Sequence, residues 1–330
     1  MKSFFICIQA LTASLASGSC HTPHPSFVLT TESITNELSR EPTRDQLESN
    51  QRHEVNDQAT SVFLVVMSGN KQLSISIQPL QYANVSTCAR ITAEAFSTDR
   101  HTIVKQLGGK PFDMFEVSRD GFLSTLHRKN YIYVKAVDDT GEIVGHAGWG
   151  FRGVDDIKIP WEGPSDKLPL SKLSNPDKEK GDETKTTAQE TMNGDGIERL
   201  HALEDADMNQ MMSELMPPGT SCMYFVGLTV APPYKSQGIG STLIKYGAAI
   251  ADPLDIFTWV HASDQSWRAY AKFGFEVVKE LVIDLDEYAP KIPGQNWAIF
   301  LEGTCEGVTE KNWGSYAIRY MKRMPPVAGA

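Results

Sequence analysis

An apolar run, Met223 to Val230, stops at Ala231-Pro232-Pro233 and leads into a glycine-bearing turn, Lys235-Ser236-Gln237-Gly238-Ile239-Gly240-Ser241. The run reads as a strand, and the prolines end it because they cannot donate to a ladder. After the turn, apolar or small residues recur at Ile239, Thr242, Leu243, Tyr246, Gly247 and Ile250, one sustained helical face. A strand, a tight turn and an amphipathic helix in succession commit the chain to an α/β fold in which the helix crosses back over a sheet. Glycines before a helix let backbone approach a ligand closely. The first-turn amides lack intrahelical acceptors, and the helix dipole adds roughly half a positive charge there. Together they make an anion site suited to phosphate, to which Lys235 and the Ser241 hydroxyl can add. A P-loop would place Lys after Gly240, and a dinucleotide fingerprint would place a third glycine where Leu243 stands. Neither is present. A glycine pair that merely serves a tight turn remains the alternative for this loop taken alone.

Flanking segments extend the pattern. Leu73 to Ile77 alternates apolar and polar residues as a half-buried strand does. Asn84 stands as an N-cap before apolar positions Cys88, Ile91, Ala95 and Phe96, with Thr92 the one polar residue on that face. A second helix is expected over Phe112 to Leu126. Tyr131 to Val137 and Glu142 to Phe151 form a hairpin around Asp138-Asp139-Thr140-Gly141. Leu200 to Met216 reads as a helix whose methionines fill core space. Strands follow at Ile256 to Val260, Phe275 to Leu285 and Trp313 to Met321. Asp264 is placed to cap a helix that stops at Gly274. The expected architecture is a single domain over 73–323, with a central mixed, largely antiparallel sheet flanked by helices. Residues 1–72 are expected to form a largely disordered extension, about 153–199 a charged flexible insertion poor in large apolar residues, and 324–330 a tail.

The 330 residues are 41% hydrophobic and carry a net charge of -10. An acidic balance argues against a nucleic-acid surface and suits cationic substrates. The five cysteines (Cys7, Cys20, Cys88, Cys222, Cys305) are odd in number, with no C-x-x-C pair, and the eight histidines form no ligand set. No metal site is expected. Phe4 to Ala16 is too short, and with Gln9, Thr12 and Ser14 too polar, to span a membrane.

The stretch Gly227 to Leu243 resembles the acetyl-CoA motif of the GNAT superfamily: an apolar strand ending V-x-P-x-Y, then Q/R-x-x-G-x-G/A, then a helix. Further on, Tyr270-Ala271-Lys272-Phe273-Gly274-Phe275 is similar to that family's Y-x-x-x-G-F. The resemblance spans Leu73 to Met321, and the Glu214 to Gly219 run is similar to one in uncharacterised fungal members. It implies an N-acetyltransferase that uses acetyl-CoA as cosubstrate. Backbone of Leu228, Thr229 and Val230 would hold the pantetheine arm. Lys235, Ser236, Gln237, Gly238, Ile239, Gly240 and Ser241 would hold the pyrophosphate. Ser263 takes the place of a common cofactor-binding Asn, and Ser266 a place usually Ala or Gly. Tyr270 would lie near the thioester sulfur. Lys235 departs from the usual Gln or Arg, keeping charge but losing a planar fork.

The chemistry agrees with those roles. A lysine-like amine is deprotonated in roughly one molecule in a thousand near neutral pH, a cost of about 4 kcal/mol. A departing thiolate of pKa about 8.5 needs a proton that a tyrosine of pKa about 10 still holds. Tyr270 is therefore the candidate acid. No carboxylate lies between Met223 and Val230, and the base stays unassigned among His146, His261, Glu214 and water. The acceptor is expected to be a small-molecule or peptide amine, contacted by Ser97 to Asp113 and the segment after Leu285. A non-catalytic acyl-CoA-binding regulator is the alternative. Lys2 and Ala16-Ser17-Gly18 give the first 18 residues a signal-like character. The intracellular setting of acetyl-CoA chemistry favours a cytoplasmic protein instead.

Overall fold

The computed structural model describes residues 62–68, 71–110, 112–167, 195–292, 309 and 312–326. Eight strands form one sheet in the order β1-β2-β3-β4-β5-β6-β8-β7. They are β1 (Val62–Ser68), β2 (Lys71–Pro79), β3 (Tyr131–Asp138), β4 (Ile143–Arg152), β5 (Cys222–Val230), β6 (Phe257–Ala262), β7 (Glu276–Asp284) and β8 (Ser315–Arg323). Every neighbouring pair is antiparallel except β5 and β6. Parallel neighbours need a crossover, and helix α5 (Ile239–Ala251) supplies it. The other helices are α1 (Val85–Phe96), α2 (Arg100–Gln106), α3 (Met114–Thr125), α4 (Gly196–Leu215) and α6 (Trp267–Ala271). The mixed, largely antiparallel sheet expected from the sequence is thus observed. Among the described residues no helix is long and apolar enough to cross a membrane.

The β3–β4 turn shows how local chemistry sets the register. Asp138 Oδ1 accepts from the amides of Thr140 and Glu142 at 3.0 and 2.9 Å. An Asp that closes its own turn fixes where the return strand begins.

Alternation along β4 and β5 sends side chains into two different cores. On one face Ala147, Trp149 and Phe225 pack against Ile239 and Leu243 of α5, with Tyr270 and Phe275 in the same cluster. On the other, Tyr131, Tyr133 and Tyr224 pack against Cys88, Phe122 and the α4 methionines Met208, Met211 and Met212. The methionines are core residues, as their spacing implied, each contributing on the order of 2 kcal/mol by burial. A third cluster joins Ile103 and Val104 of α2, Ile197 and Leu200 of α4, and Ile283, Tyr316 and Ile318 of β7 and β8.

Several local expectations change. The sheet starts at Val62, where β1 pairs along β2, so the expected extension through residue 72 ends earlier. Asn84 holds the N-cap position of α1, but its Oδ1 accepts from Gln81 N–H at 3.2 Å and Lys135 Nζ at 2.9 Å rather than from a first-turn amide. Asp264 does not cap α6, which begins after Ser266; ion pairs with Arg100 and Arg319 at 3.0 and 2.9 Å hold its carboxylate instead. Both ends of the charged insertion pack. Ile159 and Ile197 are buried, and Asp166 accepts from the amides of Tyr82 and Ala83 at 2.9 and 2.7 Å. Its middle, 168–194, lies outside the described residues, as do 1–61 and Cys305.

Candidate active site

The site begins where β5 and β6 part. They pair only through Cys222–Tyr224 and Phe257–Trp259. On the other edge of β5, Gly148 pairs with Gly227 while Trp149 pairs with Phe225, so Val226 is an extra residue. Such a bulge bends a strand, and here it coincides with the end of parallel pairing. Beyond it, Leu228, Thr229 and Val230 stay paired with β4, while among the described residues no strand lies along their other edge. An extended ligand can add to such an edge.

That open edge runs into the glycine turn. Pro232–Tyr234 forms a single 3-10 turn, and the Tyr234 hydroxyl anchors it to the β3–β4 hairpin at Asp138 and Glu142, 3.3 and 3.2 Å away. Ser236 and Gly238 both take left-handed backbone, with φ of 61° and 87°. At Gly238 the absent Cβ makes this free; at Ser236 it costs on the order of 1–3 kcal/mol, and strain of that kind gathers at ligand sites. The first intrahelical bond of α5 runs from Thr242 N–H to the Gly238 carbonyl at 3.0 Å. The amides of Ile239, Gly240 and Ser241 therefore have no acceptor within the helix. A Cβ on Gly240 would meet Val230 and Leu228 only at ordinary contact distances, 3.7 and 3.8 Å. Protein packing does not demand glycine there, whereas a ligand lying on the helix terminus would.

Not every expected side chain faces this edge. Lys235 is exposed. Gln237 donates to the Pro233 carbonyl at 3.0 Å and so closes its own loop. Ser263 donates to Ser266 Oγ at 2.9 Å; the two hydroxyls serve each other at the mouth of α6 while both line the cavity described next.

A cavity of about 200 Å³ occupies the gap between β5 and β6. Its walls include Tyr270 from one core and Phe122 and Met208 from the other, so it passes through the sheet where the strands splay. Leu228, Thr229, Ser263 and Ser266 line it as well. The Tyr270 ring lies edge-on to Phe225 and Phe275 at 5.3 and 5.7 Å. Its hydroxyl makes no hydrogen bond to the described residues, and burial pushes its pKa further above the usual tyrosine value.

The three base candidates separate cleanly. Glu214 is exposed near the end of α4, bonded to Gln210 at 2.8 Å, and does not line the cavity. His146 and His261 both line it. Burial pushes each down to about 4, so both imidazoles are neutral near pH 7. His146 Nε2 lies 2.9 Å from Thr92 Oγ1, which donates to the Cys88 carbonyl at 3.1 Å. Thr92, the one polar residue on its helix face, is there to hold this ring.

Sequence reasoning did not single out Glu204. Glu204 of α4 is buried between His101 and Lys105 of α2, bonding the first and lying 2.8 Å from the second. Against the opposing effect of burial, His101 and Lys105 hold its carboxyl well below the ordinary carboxylate range. Asp99, His101, Lys105 and Phe112 line the cavity, within the Ser97 to Asp113 stretch expected to meet the acceptor.

No curated protein matches the chain. Among solved structures, a histone acetyltransferase HPA2-related protein from Corynebacterium glutamicum is similar at 15% identity, covering 77% of this chain and 98% of that one, with a TM-score of 0.39. An agmatine N-acetyltransferase is 12% identical over 76% of this chain and 99% of its own, with a TM-score of 0.41. The spermidine/spermine N-acetyltransferase SpeG from Vibrio cholerae is 9% identical over 76% and 92%, with a TM-score of 0.34. At these values none of the three bears on this chain's substrate. Residues 194–275 match the model described as the Acetyltransferase (GNAT) family. The matched span takes in α4, β5, the glycine turn, α5, β6 and α6, the same elements that build the open strand edge and carry Tyr270. The likeness to the GNAT acetyltransferase family therefore lies on the residues that build this site.

Proposed function

We propose that the chain transfers the acetyl group of acetyl-CoA to a primary amine by direct attack. One observation carries the reading: a single cavity joins the strand-free edge of β5 to the Tyr270 hydroxyl, and the same edge ends at unsatisfied helix amides. The fit to the cofactor is physical. An extended arm adds to Leu228–Val230 as a strand would. A pyrophosphate meets the amides of Ile239, Gly240 and Ser241 at a helix N-terminus, over a Gly240 that packing alone does not require. The turn at Lys235, Ser236, Gln237 and Gly238 shapes the approach, and Ser263 and Ser266 flank the reactive end. Bound acetyl-CoA supplies an activated thioester carbonyl.

The chain's own residues then manage the proton. The cavity favours an uncharged amine, because an unpaired ammonium loses its hydration there. Tyr270 holds its proton at neutral pH, since burial raises its phenol. It gives that proton to the departing sulfur, and the acylated nitrogen, which must shed one, returns it. The balance closes without a permanent base, in keeping with two histidines too weakly basic at about 4 to take a proton from an ammonium. A cytoplasmic setting suits this chemistry, and a net charge of -10 supports neither a nucleic-acid nor an anionic-membrane partner.

A second reading, acyl-CoA binding without turnover, is favoured by the lack of any carboxylate along β5. The two readings part at Tyr270. With acetyl-CoA saturating and a good acceptor, free-thiol release by Tyr270→Phe should fall roughly 10²- to 10⁴-fold in kcat, while acetyl-CoA affinity holds. An unchanged kcat would return the proton to solvent. No thiol release from the native chain, with acetyl-CoA bound, would establish the second reading.

A further inference from the structure

The acceptor half of the cavity has a composition of its own. Its wall on the α1–α3 side carries Phe96, Phe112, Met114, Val117 and Phe122, and Met208 of α4 completes it. Phe112, Met114 and Val117 are only half-buried, so their apolar surface faces the opening. Charged groups also line the cavity, but their partners are already in place. Asp99 is the one lining carboxylate among the described residues. It accepts from Thr102 N–H and Oγ1–H at 2.9 and 2.8 Å and from the Tyr316 hydroxyl at 3.0 Å. His101 and Lys105 both face Glu204. The Lys105 ammonium also lies over the Phe112 ring, 4.8 Å from its centroid.

From this arrangement we infer that the acceptor is a small primary amine with an apolar, preferably aromatic, body and no second charge. The inference rests on the acetyltransferase reading and narrows it. A diamine or polyamine would bury a second ammonium against a wall whose one carboxylate already accepts three hydrogen bonds. An amino acid would bury its carboxylate where Lys105 is already paired with Glu204. Neither would be compensated, and an uncompensated charge is costly to bury. An aromatic body gains from the same wall, where rings and methionine make favourable contacts. The volume of about 200 Å³ serves the acetyl end as well. That is below the roughly 300–1,000 Å³ of pockets for drug-sized ligands, so it suits a small molecule rather than a peptide.

The test uses the full chain, saturating acetyl-CoA and free-thiol release with 2-phenylethylamine, hexylamine, putrescine, spermidine, phenylalanine and a lysine peptide. The expected kcat/KM for 2-phenylethylamine exceeds those for putrescine, spermidine, phenylalanine and the peptide by about 100-fold or more, the scale of discrimination against an unpaired buried polar group. Preference for any of those four overturns the inference and leaves the acetyltransferase reading intact. Acetyl-CoA binding in calorimetry with no amine acetylated overturns both the inference and the transfer reading; absence of binding also removes the cofactor assignment. Val117→Glu supplies the missing carboxylate and should raise the putrescine-to-phenylethylamine ratio by about 10-fold, the lower end of one pocket contact. Phe112→Ala, at a half-buried position, should lower kcat/KM for 2-phenylethylamine by about 10-fold with acetyl-CoA affinity unchanged. An unmoved ratio in Val117→Glu, or an unaffected kcat/KM in Phe112→Ala, would contradict the assignment of this wall to the acceptor.

Discussion

The two parts of the candidate site are built on opposite principles. The part proposed to hold the cofactor is made mainly of backbone: one strand edge, one turn and three amides, contributed by the consecutive stretch Leu228 to Ser241. The part proposed for the acceptor is made of side chains brought together from α1, α2, α3 and α4, backed by the Glu204–Lys105 pair across 99 residues of sequence. Backbone groups are the same whatever residue carries them, so the cofactor part depends on a few conformations. Side chains differ, so the acceptor part depends on particular residues and on the packing that buries them.

Breaking the acceptor part should therefore cost stability before it costs cofactor affinity. Glu204→Ala strands Lys105 and His101 in the core. Removing one partner of a buried ionic cluster is expected to lower the unfolding free energy by about 3–5 kcal/mol. Urea denaturation reads that loss, and calorimetry should show near-normal acetyl-CoA affinity in the protein that remains folded. A Glu204→Ala protein of normal stability would mean that the pairing of Glu204 with His101 and Lys105 does not hold α4 to α2.

A smaller effect sharpens the same contrast through pH. His146 of β4 lines the same cavity, against Thr92 of α1, and is held at about 4 by burial, against 6.5 when exposed. As pH falls below 6.5 the unfolded chain takes up the proton and the folded chain does not, so stability declines with acid until about 4. Between pH 7.5 and 5 this one group should remove about 2 kcal/mol of stability. In His146→Phe the loss over that interval should shrink by the same amount, whatever the variant's stability at pH 7.5. Equal pH slopes in the two proteins would show that the ring is solvated when folded.

The same division explains what could be read from the sequence. The β5–turn–α5 unit was legible because its signals are local: an apolar run, prolines, positive-φ glycine and a 3.6-residue period lie side by side. Tyr270 was reachable through the short Tyr270-x-x-x-Gly274-Phe275 pattern. Thr92 stood out as a polar residue on an apolar helix face, but its purpose depended on His146, 54 positions away. Glu204 carried no local mark, since a glutamate among charged neighbours on a helix looks solvent-facing until α2 is packed over it. Asp264 misled for a related reason. Its position before a helix suggested a cap, and two arginines from distant elements claimed the carboxylate instead.

The claim that backbone holds the cofactor is tested most directly by acetyl-CoA dissociation constants, measured by calorimetry across three variants. Lys235→Ala and Ser241→Ala remove side chains and should change the constant by only a few-fold, as expected for exposed or neutral hydrogen-bonding groups worth about 1 kcal/mol. Gly240→Val adds a branched side chain where the helix terminus must meet the ligand, at a position whose protein neighbours leave room for a Cβ. It should weaken binding about 100-fold or more, comparable to losing two hydrogen bonds to a charged group, with thermal stability nearly unchanged. Near-normal binding in Gly240→Val, with binding abolished in Lys235→Ala or Ser241→Ala, would contradict it.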